Sequence, residues 1–505
     1  MKSVLTLAIL LFLLPYLSAQ PNFKYGNANA NYPSLIKNDG NNVYILGQED
    51  KNGTSYGTIT KLDASSGNII WQKELDFPSQ INDMVFIPPQ GALGKTSLYI
   101  VGHTLPFDIN NASFVAQINS ETAALECSNI FDQTGRESFR KIVRNMNTPN
   151  PNFPYFILGT RGYSGGAVTQ EKTILINLRN GCAGGTNVNF VKEYNFANSP
   201  DLEFSRGMAV LNDGSILLMG NETANGFGMI VKINGAGNMQ NAVVYTRDME
   251  VLDATELANG NILFSGKVNT NGISSAILFA TDIKLSVLGR AAENKNILSY
   301  PFIETDFNGG VYLPCYYKPM QNSNTTTYPL VQRLNIGGTI NSPLFTLPWQ
   351  VSLENSNPTT SYQGVALSIG DINSITYTDG RNVSNSNLDF TFAKTNLSFS
   401  APCADSVVTF LTPLELGFNN VEVTNVASSL PSPTTGNLIG LDWVRGNFCA
   451  EPCKLDFSMS VTERECNDVL CNINITNGTP VYTISWDFEC DGDVDANGLQ
   501  GQYTF

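Results

Sequence analysis

The feature that most limits how this chain folds is a short apolar strand that ends in glycine and keeps returning. It reads VYILG at 43–47, LYIVG at 98–102, YFILG at 155–159, ILLMG at 216–220 and ILFSG at 262–266. Two degenerate copies follow, VYLPC at 311–315 and SITYTDG at 374–380. Turn signals stand before several copies: Asn38-Asp39-Gly40, Asn212-Asp213-Gly214, Asn259-Gly260 and Asn308-Gly309-Gly310. Glycine and asparagine start tight turns because they tolerate positive φ. After the landmark comes a matching strand–turn–strand partner, as in GTITKLDASSGNIIWQKEL at 57–75 or GMIVKINGAGNMQNAVVY at 228–245. Apolar and polar residues alternate there, as half-buried strands require.

The landmarks recur at roughly 46 to 64 residues, at or just above the length of one propeller blade. A lone twisted four-stranded sheet cannot cover both its faces. Radial stacking covers them, and joining last to first removes the open end. The expected fold is therefore all-β: a seven-bladed β-propeller over residues 31–414. A linker or strap rich in Pro, Ser and Thr follows over 415–453, and a further β-domain over 454–505.

Composition restricts function. The net charge is −15 and the pI about 4.6, so no broad basic face is expected to hold nucleic acid. There is one histidine, His103. Multi-histidine metal sites are excluded, and any Ser-His-Asp triad has to use His103. No Gly-x-Ser-x-Gly elbow accompanies it, so His103 reads as a strand-end residue without a catalytic role.

Residues 1–19 carry Lys2, an apolar run over 4–17 and the small residue Ala19, the plan of a secretory signal peptide. No later apolar run is long enough to span a bilayer as a helix. Extracellular or cell-surface localisation follows, and with it disulfides among the nine cysteines. The odd number leaves one thiol unpaired or marks the chain as incomplete.

Three resemblances sharpen this. NDGSILLMGNETANGFGMIVKINGAGN (212–238) is similar to short propeller repeats of secreted bacterial proteins. KLDASSGNIIWQKEL (61–75) is similar to one repeat of the pyrroloquinoline-quinone propellers. The Gly67…Trp71 pattern occurs in this copy alone, so Trp71 is assigned to packing between blades and no quinone cofactor is expected. ISWDFECDGD (484–493) resembles the Trp-Asp-Phe-Gly-Asp-Gly signature of polycystic-kidney-disease (PKD) domains, which are immunoglobulin-like β-sandwiches. That resemblance implies a core position for Trp486. A sandwich needs roughly 80 to 100 residues, so the segment reads as incomplete. The combination resembles multidomain bacterial surface proteins exported by type IX secretion.

Asp493-Val-Asp495-Ala-Asn497-Gly498 matches the start of a calcium loop, with Asp491 as a further ligand. The plainer reading is a solvated turn. No other cofactor is expected.

The leading functional expectation is a non-enzymatic binding or adhesion protein. Its propeller loops, with Tyr316, Tyr317 and Tyr328 among them, would contact an extracellular glycan or protein ligand. The alternative is a propeller glycosidase or lyase working with paired carboxylates. Asp248, Glu250, Asp253 and Glu256 of RDMEVLDATE are its candidates.

Overall fold

The structure is a computed structural model that describes the backbone of residues 22–504 apart from a set of loops. Side chains are described mainly within 33–347 and 411–440. Among the described residues the fold is all-β, without an α-helix. No helix there is long and apolar enough to cross a membrane.

The strands form successive four-stranded antiparallel meanders. The first comprises Ala30–Asn38, Asn42–Lys51, Thr54–Asp63 and the start of the long strand Ile69–Ile87. The end of that strand opens the second meander, with Ser97–Thr104, Ser113–Asn119 and Leu125–Phe131. The third holds Glu137–Arg144, Tyr155–Tyr163, Gln170–Leu178 and Val188–Phe196. The fourth holds Leu202–Val210, Ile216–Glu222, Phe227–Ile233 and the start of Met239–Glu256. The rest of Met239–Glu256 leads the fifth, with Ile262–Thr270, Ile273–Thr281 and Ala291–Asn294. The sixth runs through Glu304–Thr305, Val311–Tyr317, Tyr328–Thr339 and Ser342–Ser352. The seventh has Val365–Ile369, Ile375–Ser384 and Asn387–Thr395, and its fourth strand is Asn22–Gly26 from the other end of the chain.

The core lies between meanders, not within one. Tyr155, Ile157, Ile174 and Ile176 pack with Tyr99, Val101 and Val115 of the second meander. Phe156, Leu158 and Leu175, their neighbours in sequence, pack with Met208, Ile216, Leu218 and Met229 of the fourth. Strands covered on both faces carry unbroken apolar runs, which is why YFILG has no polar alternation. Trp71 behaves as expected: its Nε1 donates to the Ser120 carbonyl of the second meander at 3.0 Å.

The glycine of the landmark has a steric cause. The first strand of several meanders carries a bulge opposite it, between Ile81 and Asp83 against Gly102, and between Val251 and Asp253 against Gly266. The bulge drives a carbonyl toward the glycine. A Cβ at Gly102 would sit 2.0 Å from the Gln80 oxygen, and one at Gly266 2.0 Å from the Glu250 oxygen. Turn residues follow the sequence reading as well: Gly40, Gly214 and Gly260 have φ of 98°, 80° and 81°.

From Asp405 the chain travels back around the outside of the meanders. Asp405–Ser406 pairs with Ser342–Ser352 of the sixth and Thr412–Leu414 with Ala291–Asn294 of the fifth. Phe418–Asn420 pairs with Met239–Glu256 in the fourth and Val423–Ala427 with Val188–Phe196 in the third. At the second, the Gly436 N–H donates to Ser128 Oγ at 2.8 Å, and that hydroxyl donates to the Gly436 carbonyl at 2.6 Å. Leu438–Gly440 then pairs with Ile69–Ile87 in the first, and Val444–Asn447 with Asn22–Gly26 in the seventh. The belt of short edge strands thus begins at Asp405, inside the range expected for the propeller, and continues through the segment expected as a linker or strap over 415–453.

Ser428 of the belt enters a buried ion cluster in the third meander. Arg161 donates to Glu137 at 2.6 Å, to Glu193 at 3.2 Å and to Ser428 Oγ at 2.9 Å. Arg161, Glu137 and Glu193 are 3 %, 0 % and 6 % exposed.

Beyond the belt, Asp456–Glu463, Asp468–Asn477 and Gln500–Thr504 form a three-stranded antiparallel sheet, and Ser485–Trp486 pairs with Ala496–Asn497. The side chain of Trp486 lies outside the described residues, as does residue 505.

Candidate functional site

The first strands of the meanders bring charge together from distant parts of the sequence. Lys37 lies on Ala30–Asn38, Asp83 on Ile69–Ile87, Lys141 on Glu137–Arg144, Asp253 on Met239–Glu256 and Glu304 on Glu304–Thr305. These five come from the first, second, third, fifth and sixth meanders, and Glu304 feels the charge of all the others.

Asp83 and Asp253 follow the bulges of their strands, and each holds the start of the next meander. Asp83 accepts the Met84 N–H at 2.9 Å through one oxygen and the Ile142 N–H at 3.0 Å through the other. Asp253 accepts the Ile303 N–H at 2.9 Å. Phe302, beside it, lies under Lys141, whose Nζ stands 5.0 Å from the ring centre. Asp83 is 4 % exposed, while Lys37, Lys141, Asp253 and Glu304 are half-buried and keep a face open to solvent.

The electrostatics follow from this crowding. Burial pushes the Glu304 carboxyl up from its ordinary 4.5 to about 7. Lys37 and Lys141 pull it down, and Asp253 and Asp83 push it up. Burial also raises Asp253, against the pull of Lys141, the Ile303 and Ala254 N–H groups and Lys37. Burial alone would lower Lys37, but Glu304, Asp83 and Asp253 together raise it. The cluster therefore holds the Lys37 ammonium charged beside a carboxyl that gains and loses its proton near neutrality.

A stability effect follows. Below about pH 4.5 the Glu304 carboxyl is neutral in both folded and unfolded chains. As pH rises toward 7 the unfolded chain releases that proton first, so folding loses up to about 3 kcal/mol. Glu304→Gln is expected to match the wild type in urea unfolding at pH 4 and to exceed it by that order at pH 8. Equal midpoints at both pH values would contradict this.

Of the four acids singled out in RDMEVLDATE, only Asp253 joins the cluster. Glu250 pairs with Lys267 at 3.2 Å, Glu256 accepts the Asn212 N–H at 2.7 Å, and Asp248 accepts from Asn269 at 3.1 Å. Lys37, Asp83, Lys141 and Glu304 went unnoticed in the sequence. The repeat does offer one signal, because Asp83 and Asp253 occupy the same place after the bulge.

His103 is 2 % exposed, with Asn82 Nδ2 at 3.1 Å and Ser138 Oγ at 3.0 Å from its Nδ1. Ser138 is fully buried too, so this Ser–His contact has no opening to a substrate. Asp491, Asp493 and Asp495 of the calcium reading lie outside the described residues, and Asn497 is described only through its backbone pairing with Ser485. The side chains of Tyr316, Tyr317 and Tyr328 lie outside them as well. Among the described residues no group of acids, histidines or cysteines is arranged to hold a metal. Cys315 is a buried free thiol.

No family model matches the chain, and neither does any curated protein. Solved structures with similarity to it are β-propeller-like. One is a protein of unknown function from Dyadobacter fermentans, with 11 % identity, TM-score 0.40, and coverage of 74 % of this chain and 98 % of that one. Another is polysaccharide lyase Uly1, with 9 % identity, TM-score 0.42, and 74 % and 91 % coverage. A third is the intramolecular trans-sialidase from Ruminococcus gnavus, with 9 % identity, TM-score 0.38, and 74 % and 95 % coverage. The expectation that the chain is not an enzyme is corrected here. Enzymes stand among the structures it resembles, so an all-β architecture of this kind gives no ground for excluding catalysis.

Proposed function

We propose that the chain is an extracellular carbohydrate-active enzyme, a glycosidase or lyase, built on a closed seven-bladed β-propeller. Glu304 and Asp253 are its working carboxylates. The observation that carries this reading is the Glu304 carboxyl, held near neutrality among two lysines and two further carboxylates with a face open to solvent. A group titrating near the working pH serves as proton donor or acceptor. Asp253, tied to the Ile303 N–H, is the fixed second carboxylate. Lys37 and Lys141 stabilise negative charge developing on the substrate.

Closure is supported by two contacts. Ala30–Asn38 of the first meander packs against all three strands Val365–Ile369, Ile375–Ser384 and Asn387–Thr395 of the seventh, and Asn22–Gly26 completes that seventh sheet. Export through the signal at residues 1–19, and a PKD-like module over 454–505, belong to the same proposal. On this reading the propeller stands outside the cell on a sandwich-type module.

The test is turnover. The purified chain is assayed on neutral and uronate-containing polysaccharides, following reducing ends for hydrolysis and the ultraviolet absorbance of unsaturated uronate for elimination. Glu304→Gln is expected to lower kcat by about 10²- to 10⁴-fold with folding intact. Absence of turnover across the panel, or an unaffected Glu304→Gln enzyme, would overturn the assignment.

A further inference from the structure

A second place in the molecule gathers positive charge, in a chain whose net charge is −15. A cavity of about 490 Å³ lies where Glu137–Arg144 ends, lined by Arg144, Arg179, Pro88, Phe153, Pro154 and Tyr155 among others. Its volume falls in the range of pockets that take small organic ligands. The Nε of Arg144 is buried and makes no hydrogen bond. Among the described residues no carboxylate pairs with it within ion-pair distance. No protein acceptor takes the terminal N–H groups of Arg144 among the described residues, and the side chain is only half-buried, so those groups are free to meet a carboxylate that enters the cavity.

The walls are fixed before any ligand comes. The Asn145 N–H donates to the Pro154 carbonyl at 2.7 Å and its side chain to the Gly214 carbonyl at 2.8 Å. Asn147 donates to the Asn212 carbonyl at 2.8 Å, and Asn177 to the Phe153 carbonyl at 2.7 Å. On the other side, the Arg179 carbonyl accepts from Tyr99 at 3.0 Å, and Arg179 Nε donates to Asn187 at 2.7 Å. The loop over 145–154 is thereby anchored to both the third and fourth meanders. Proline and aromatic walls suit the flat apolar face of a pyranose, while Arg144 suits a planar anion.

We infer that this cavity is a subsite for a carboxylate-bearing sugar, with the Arg144 guanidinium as its carboxylate receptor. Uronate binding here stands on the cavity alone and does not require Glu304 to be catalytic. Arg144 lies three residues beyond Lys141 on the same strand, roughly 10 Å further along it.

Calorimetric titration with methyl glucuronide and methyl glucoside tests it. The glucuronide is expected to bind, and the glucoside to bind at least about tenfold more weakly. Arg144→Met is expected to abolish that preference, and Arg144→Lys to restore part of it. The titration reads binding and not turnover, so its outcome is independent of whether Glu304 is catalytic. Equal affinity for the two sugars, or a glucuronide preference that survives in folded Arg144→Met, would overturn the inference. A second titration with inorganic sulfate distinguishes sources of the anion: a match between sulfate and the glucuronide would mean a simple anion site and would overturn the sugar assignment.

Discussion

Replacing Arg161 with Leu is expected to lower the unfolding free energy by about 3–5 kcal/mol, the usual cost of breaking a buried ion pair. The Glu137 carboxylate, fully buried, would remain in the interior without the guanidinium 2.6 Å away. Lys172, 3.6 Å from Glu193, is too far from ideal contact to take over. Denaturant unfolding of the single variants and of Arg161→Leu with Glu137→Leu makes the test sharp. The double variant is expected to recover part of the loss, because Glu137 no longer leaves a charge in the interior, while Glu193 keeps the Ser428 hydroxyl at 2.8 Å and Lys172 at 3.6 Å. Additive losses in the double variant would mean that the pair contributes through packing alone.

Gly266→Ala is the second large effect. The added Cβ would stand 2.0 Å from the Glu250 carbonyl oxygen and 3.1 Å from its carbon, both backbone atoms that no rotamer change can move. Relief requires the bulge between Val251 and Asp253 to flatten. That shift would draw Asp253 off the Ile303 N–H. Overpacking of this kind costs about 1–3 kcal/mol and occasionally more. Gly260→Ala makes the comparison, since nothing lies within 4 Å of its Cβ and only its φ of 81° is strained. Gly266→Ala is expected to fall well below it in thermal stability. A ranking in the opposite order would mean that the landmark glycine answers to backbone conformation and not to the bulge.

The meanders were legible because their signal is redundant. A strand such as YFILG is covered on both faces, so every residue in it is constrained to be apolar, and the glycine that ends it is constrained by the bulge opposite. The belt was legible only as a strap. Its strands are short, such as FNN at Phe418–Asn420, and they join by backbone hydrogen bonds that any side chain permits. No alternation arises, and composition alone suggested a connection. The charged cluster was hidden for another reason. Asp253 stood out among neighbouring acids, but Lys37 and Glu304 meet it only because separate meanders converge. Sequence proximity grouped Asp253 with Glu256, whereas the fold sends Glu256 to the Asn212 N–H.

The belt also sets a clock. Its contacts join residues far apart along the chain: Gly436 to Ser128 across 308 positions, and Asn437 to Asp76 across 361. Each requires the sheets it touches to exist beforehand. Contacts of such sequence separation are slow to form, since the entropy of closing the loop is lost before any bond is gained. Until they close, the outer edges of the meanders stand unpaired and open to strands of other molecules. Refolding yield should therefore depend on protein concentration far more steeply than native stability does, with the late wrapping of 405–447 as the interval of exposure.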